Sequence, residues 1–356
     1  MATPDTGALW ALRKTRPAFG LELLDIPPVG DPGLGEVVVG VEAAGICGSD
    51  VHIYDWSGGY EFIVPAMPVT LGHEFSGQVR RAGPGVEAPR LGSSVVVIPS
   101  VTCGICQACI SGDTAACLDR RGIGMTRDGG FAAEVLVPAC NCLVLPEGFD
   151  PVIAALTEPM VIGARAVSVG GVAPGDRVLI MGPGTIGQAI ALMARAAGAA
   201  EVMVGGADDR LRLDVLRRLG FDAVHDIRDG ALEDFAGRRR FDVVFEATGV
   251  PQVVQQGLGL LRREGVLVVA GIHPHPANLD LNTLVREQQQ LRGSQRGKRR
   301  DWLRAFDFVV AQGDRLSPMV THRLPLDRAL EGFELARRKA ASKVVLLPGA
   351  TEAGHG

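Results

Sequence analysis

The sequence predicts an α/β protein made of a β-rich lobe and a doubly wound parallel-sheet domain, on three observations. Short apolar runs broken by Gly and Pro fill the first third of the chain, strand-like and helix-like runs alternate from about residue 160, and a turn of the form G-x-G-x-x-G joins the first such strand to its helix. The chain has 356 residues, more than one core usually serves, so two domains are expected. Aromatics are 5% of the chain against 47 glycines, which suits tight strand-to-helix turns better than an aromatic-packed sandwich.

In chain order, residues 35–45 (GEVVVGVEAAG), 75–83 (FSGQVRRAG) and 92–100 (GSSVVVIPS) read as strands bounded by turn residues. Residues 173–206 read as an apolar strand, a glycine turn, an Ala/Leu/Met helix and a second strand. Residues 211–220 then read as helix, and 241–249 (FDVVFEATG) and 264–272 (EGVLVVAGI) as two more buried strands. Residues 300–313 and 329–340 have helical patterns, and 342–348 (SKVVLLP) close the chain as a strand before a glycine-rich tail expected to fray.

Charge and hydropathy narrow the function classes. The formal net charge of −4 argues against a nucleic-acid partner. Apolar runs such as residues 265–272 have strand length, so no membrane partner is expected. The first residues show no apolar leader with a cleavage site, which makes the cytoplasm the expected compartment. The basic stretch at 292–304 (RGSQRGKRRDWLR) reads as a solvated approach to a helix.

The glycine turn is Gly182-Pro183-Gly184-Thr185-Ile186-Gly187, after the strand RVLIM and opening a helix. Gly182 permits the turn, Gly184 lets backbone approach a pyrophosphate, Gly187 lets helix pack on sheet, and the helix N-terminus offers free N–H groups to phosphate. A dinucleotide site is therefore expected. The second strand ends VMVGGADDRLR. Asp208 or Asp209 could take the ribose hydroxyls and favour NAD, while Arg210 and Arg212 could meet a 2′-phosphate and favour NADP; the reading leans to NAD.

Four of the seven cysteines, Cys103, Cys106, Cys109 and Cys117, are spaced C-x2-C-x2-C-x7-C. Four thiolates close a tetrahedral zinc shell with no open position, so this spacing predicts a structural zinc. Cys140 and Cys142 match no metal motif and are expected to be buried structurally. A second set is dispersed: Gly45 to His52 read GICGSDVH, Gly72-His73-Glu74 opens a later strand, and Glu158-Pro159 precedes the cofactor region. Taken singly, Cys47 reads as core filler, His73 as a satisfied core histidine and Glu158 as a helix-start acid.

Together these segments resemble the zinc-containing medium-chain dehydrogenases, the superfamily of alcohol, sorbitol and threonine dehydrogenases. GICGSDVHIY, GHEFSGQV, the four-cysteine lobe, the EP dipeptide and GPGTIG stand in that family's order. The resemblance implies a GroES-like catalytic domain over residues 1–160 and 296–356, with the zinc lobe at about 99–118, and a Rossmann domain over 161–295. It implies that Cys47, His73 and Glu158 are catalytic zinc ligands, that Glu74 is an adjacent acid able to enter the shell, and that Ser49 and His52 form a proton relay. Two zinc ions per subunit, NAD (with NADP open) and a homo-oligomer, a tetramer before a dimer, follow from the same resemblance. Such a zinc acidifies a bound hydroxyl, so the implied reaction passes hydride between a secondary alcohol or polyol and the nicotinamide, the ketone being the product.

The segment DVHIYDW is especially like the threonine and polyol branches. Threonine enzymes carry a histidine shortly before the cysteine lobe, where this chain has IPSVTCG, and sorbitol-type enzymes carry a glutamate where Ile98 stands. The loop Trp56 to Phe62 (WSGGYEF) either borders the pocket or packs as plain core. The alternatives are a threonine-type amino-alcohol dehydrogenase and, from another class, a non-catalytic redox sensor binding zinc and dinucleotide. A sensor would lack a ligand or relay residue, and this sequence has all of them.

Overall fold

The nearly continuous apolar run of Glu36–Gly45 suits the central strand of the N-terminal sheet, because both of its faces can be covered. In the computed structural model, which describes residues 9–112, 114–237 and 240–349, this strand pairs antiparallel with Glu74–Ala82, Glu134–Pro138 and the closing strand Lys343–Leu347. The seven-stranded sheet runs Cys142–Val144, Ser94–Val97, Glu74–Ala82, Glu36–Gly45, Lys343–Leu347, Val320–Pro325, with Glu134–Pro138 branching from the central strand. A three-stranded sheet, Glu22–Ile26, Leu9–Lys14 and Val69–Thr70, completes the β lobe. Val37, Val39, Phe75, Val95, Phe131 and Phe333 fill the core, Phe131 meeting Phe333 edge-on with ring centroids 6.0 Å apart.

Two compact units divide the chain: Met1–Glu158 with Val309–Gly356, and Pro159–Phe308. In the second unit six parallel strands are ordered Val224–Asp226, Glu201–Gly206, Arg177–Met181, Phe241–Glu246, Leu261–Val269, Gln290–Gly293. In chain order that is 3-2-1-4-5-6, so the direction of winding reverses between Arg177–Met181 and Phe241–Glu246, where α/β sheets open a ligand crevice. The helix Thr185–Ala196 buries Gly187 through Ala194, small enough a face to lie close on the sheet.

The strands and helices read from the sequence are present, and several elements were not read. The helix Thr157–Gly170 is apolar on nearly every side, which erases periodicity. With the short helix before it, Pro151–Gly170 is long and apolar enough to cross a bilayer by length and composition, a longer apolar run than the sequence reading recognised, but most of it is buried in the fold. The sixth strand, Gln290–Gly293, is short and half polar because it is an edge. Arg296, Lys298, Arg299, Arg300 and Arg304 are exposed, while Trp302 and Ala305 turn inward from the helix Arg299–Gln312. Residues 350–356, the expected frayed tail, lie outside the described residues.

Phe333→Ala leaves a ring-sized cavity between Phe131 and Tyr54, so the β unit should lose about 3–5 kcal/mol, read as a lower urea midpoint in its unfolding transition.

Candidate metal centre and dinucleotide site

The strand Glu36–Gly45 delivers the chain to Cys47, which caps the helix Gly48–Asp55. Asp50 closes that cap: its Oδ2 accepts from the Cys47 N–H at 3.0 Å. The Asp50 carboxylate is fully buried, and its Oδ1 lies 3.5 Å from His73 Nδ1. His73 is set by Gly72, whose φ of +92° turns the chain against Phe131, where a Cβ would come within 2.6 Å of the ring. One ligand atom each from Cys47, His73 and Glu74 lie within 4.8 Å of one another. Glu158, in the first turn of Thr157–Gly170, is half-buried and lies outside that mutual cluster, though its carboxyl feels the charges of His73 and Glu74.

Charge in this cluster is strongly coupled. Burial pushes the Cys47 thiol up, Glu74 adds to the effect, and His73 and Lys343 oppose it. Burial alone would lower the His73 imidazole, but Asp50 and Cys47 outweigh it and hold it well above the usual range. The Glu158 carboxyl is pushed up to about 7 by burial and by Glu74, against His73 and Lys343. Lys343 is the buried counter-charge: its Nζ donates to Glu74 Oε2 at 2.7 Å and to the Ile46 carbonyl at 3.0 Å. A sulfur, an imidazole and a carboxylate, with Glu74 Oε1 buried and unpartnered, fit a zinc-type divalent cation. The Ser49 hydroxyl is likewise buried without a partner. His52 is half-buried, its Nδ1 3.1 Å from Ser57 Oγ and its ring stacked on Tyr60 at 6.1 Å. The loop after Trp56 therefore packs on His52, while Phe62 is exposed.

The four lobe cysteines also converge, with Sγ atoms of Cys103 and Cys117 3.6 Å apart and those of Cys103 and Cys109 4.0 Å apart. Backbone amides of Cys109 and Leu118 bring the Cys106 thiol down to about 6, whereas burial and then neighbouring thiols push Cys109 up to about 11. Ile105, Ile110 and Leu118 all face outward, so the lobe has little apolar interior and needs a staple of another kind. Cys140 is exposed, contrary to the expectation of burial. Its neighbour Asn141 turns inward to donate to the Ile98 and Ser100 carbonyls, and the short turn throws Cys140 outward.

In the parallel-sheet unit the glycines have separable duties. Gly182 has φ +117°, and its Cβ would meet the Ala247 carbonyl at 2.8 Å. A Cβ on Gly187 would fall 1.8 Å from the Gly182 carbonyl, whereas Gly184 faces open space at the cap of Thr185–Ala196. Gly184 thus leaves room beside the start of the helix, where Thr185 and Ile186 begin it, of the kind a pyrophosphate would need. At the ribose end, Asp209 caps Arg210–Arg218, is 7% exposed and meets Arg212 at 3.2 Å. Asp208 has φ +52° and pairs outward with Arg228. Asp50, Lys343 and Arg228 escaped the sequence reading. Asp50 had a local signal, an acid three residues after a helix cap, whereas Lys343 and Arg228 are brought in by distant strands.

Residues 33–147 match the alcohol dehydrogenase GroES-like domain, and 185–311 match the zinc-binding dehydrogenase domain. L-threonine 3-dehydrogenase of Anaeromyxobacter dehalogenans (strain 2CP-C) is 34% identical over 341 residues, 94% of this chain and 98% of its own. The chain belongs to the zinc-containing medium-chain dehydrogenases. Sorbitol dehydrogenase of Halalkalibacterium halodurans is 31% identical, covering 95% of this chain and 99% of its own. A dehydrogenase structure from Sinorhizobium meliloti 1021 with NADP bound superposes with a TM-score of 0.88 at 30% identity, covering 96% of this chain and all of that one. The reaction class follows from the family: this is an NAD(P)-dependent oxidoreductase of hydroxyl groups, with the GroES-like and Rossmann folds.

Lys343→Met removes one partner of a buried ion pair and leaves Glu74 beside Asp50 and Glu158, so stability should fall by about 3–5 kcal/mol in urea unfolding; a loss under about 1 kcal/mol would show that Glu74 does not depend on it.

Proposed function

We propose that this dehydrogenase oxidises secondary alcohols or polyols, with Cys47, His73 and Glu74 as the donor set around a catalytic zinc and Glu158 as the acid that exchanges with Glu74. The observation that carries this reading is the convergence of the first three ligand atoms within 4.8 Å, with the unpartnered Ser49 hydroxyl two residues from Cys47. When bound, zinc in such a shell supplies Lewis acidity, which makes a hydroxyl more acidic and a carbonyl more electrophilic. Ser49 takes the substrate proton, and His52, oriented by Ser57 and Tyr60, passes it towards solvent. Asp50 fixes both Cys47 and His73 by holding the amide of one and facing the ring of the other. In the reverse direction the same relay returns the proton to the reduced carbonyl.

The four-cysteine lobe holds a second, structural zinc, which makes two ions per chain. The glycine cradle Gly182 to Gly187 takes the cofactor pyrophosphate, and Asp208, just past the second strand, meets its ribose. Copies of the chain associate, a tetramer before a dimer, through the edge strand Gln290–Gly293 and the exposed Leu281, Val285 and Leu291 beside it. We place the protein in the cytoplasm, where the lobe thiols stay reduced and free for metal. The threonine relatives support a second reading, an amino-alcohol substrate.

Formation of NADH and NADPH across polyols, secondary alcohols and threonine, with and without a zinc chelator, separates these readings. Chelator-sensitive turnover of one class assigns the substrate, and turnover indifferent to the chelator rejects the zinc chemistry. Cys47→Ser should abolish turnover, keep NADH binding and lower bound zinc from two ions to one; unchanged activity removes Cys47 from the site. Cys109→Ser should lower zinc by the other ion and reduce the thermal midpoint, with elemental analysis and calorimetry as the readouts.

A further inference from the structure

The Rossmann sheet reads the ribose of its cofactor at the end of the second strand, where a single acid ordinarily accepts both ribose hydroxyls. In this chain that strand ends at Gly206, and the position is closed to any side chain: a Cβ would stand 2.9 Å from Pro183 Cγ and 3.1 Å from Leu213. Ala207 follows, so the ribose must be met by groups from elsewhere. The neighbouring strand supplies one. Gly206 lies opposite Asp226 in the parallel register, and the Ile227 N–H donates to the Gly206 carbonyl at 2.9 Å, which sets Arg228 beside residues 206–208.

One buried carboxylate anchors both turns. Asp226 is 4% exposed, and its Oδ1 accepts from the Asp208 N–H at 3.2 Å and from the Arg228 N–H at 3.1 Å. That anchor holds Asp208 in the left-handed region, an arrangement that non-glycine residues adopt only when the surroundings over-determine it. The side chains of Asp208 and Arg228 face solvent, at 64% and 60% exposure, and pair with each other. Asp209 and Arg212, by contrast, are turned inward onto one another.

We propose that the Asp208–Arg228 pair reads the 2′ position of the adenosine ribose and lets this site accept both NAD(H) and NADP(H). An exposed ion pair is weak and opens readily. Its carboxylate accepts the ribose hydroxyls of the unphosphorylated cofactor, while its guanidinium, released from Asp208, forks onto a 2′-phosphate. Neither charge stands alone, so neither cofactor is repelled outright.

This inference rests on the dinucleotide site but not on the zinc chemistry, and binding tests it without turnover. Dissociation constants for NADH and NADPH, and for 5′-AMP and 2′,5′-ADP, are measured by calorimetry on the full chain. The wild-type constants for NADH and NADPH should lie within about 10-fold of each other. Arg228→Gln should shift that ratio towards NADH, and the ratio of the two adenosine halves towards 5′-AMP, each by about 10-fold or more; Asp208→Asn should shift both the other way. A wild-type preference beyond about 100-fold for either cofactor overturns dual use. Equal weakening of all four ligands in Arg228→Gln shows a merely structural arginine and overturns the proposal, as do unchanged ratios. If none of the four binds the wild type, the dinucleotide site itself is wrong and the proposal falls with it.

Discussion

The candidate metal centre depends on one buried ion pair, Lys343 with Glu74, made between residues 269 positions apart. Each partner would be costly to bury alone, and their attraction offsets that cost only because the geometry is close and the Ile46 carbonyl accepts a further hydrogen bond from Nζ. The same lysine sits at the start of a strand that pairs with the end of Glu36–Gly45, the element that delivers Cys47. Backbone ladder and side-chain charge therefore converge on one spot. Around it stand Asp50, Glu74 and Glu158, three acids with His73 and Lys343 as the nearby bases, an arrangement that a divalent cation would complete.

The two candidate metal sites solve different problems. In the lobe, Ile105, Ile110 and Leu118 face outward, so four thiols replace the apolar interior that so short a segment cannot assemble. At the other site packing is plentiful, with Ile53, Phe75 and Phe131 fully buried nearby in the same core. There the sheet spends its rigidity on holding donors in place, and Asp50 ties the cap of one element to the ring of another.

How much was legible from the sequence followed from how local each signal is. Gly182, Gly184 and Gly187 were readable because a turn of six residues has few solutions, and the four lobe cysteines because their spacing lies within one short segment. Cys47, His73 and Glu158 gained meaning only by resemblance, since nothing in the chain between them says that they meet. The structure brings Glu74, expected as an adjacent acid able to enter the shell, into the close cluster with Cys47 and His73. Lys343 looked like an ordinary strand residue, and Arg228 like a loop arginine, because each acquires its role from a strand register. Asp208 turns outward in the left-handed region while Asp209 turns inward, a difference beyond what residue type can convey.

The position of the closing strand has a consequence for how the protein is made. Lys343–Leu347 lies inside the seven-stranded sheet, between Glu36–Gly45 and Val320–Pro325, and not at its rim. A chain emerging from the ribosome has Cys47, His73 and Glu74 in hand long before the lysine and the strand that seat them, since Lys343 follows Glu74 by 269 positions. The parallel-sheet unit, Pro159–Phe308, is contiguous and has all its strands before that point. The β unit is thus completed only after the parallel-sheet unit has been made, and its acids and thiol wait through that interval without their counter-charge.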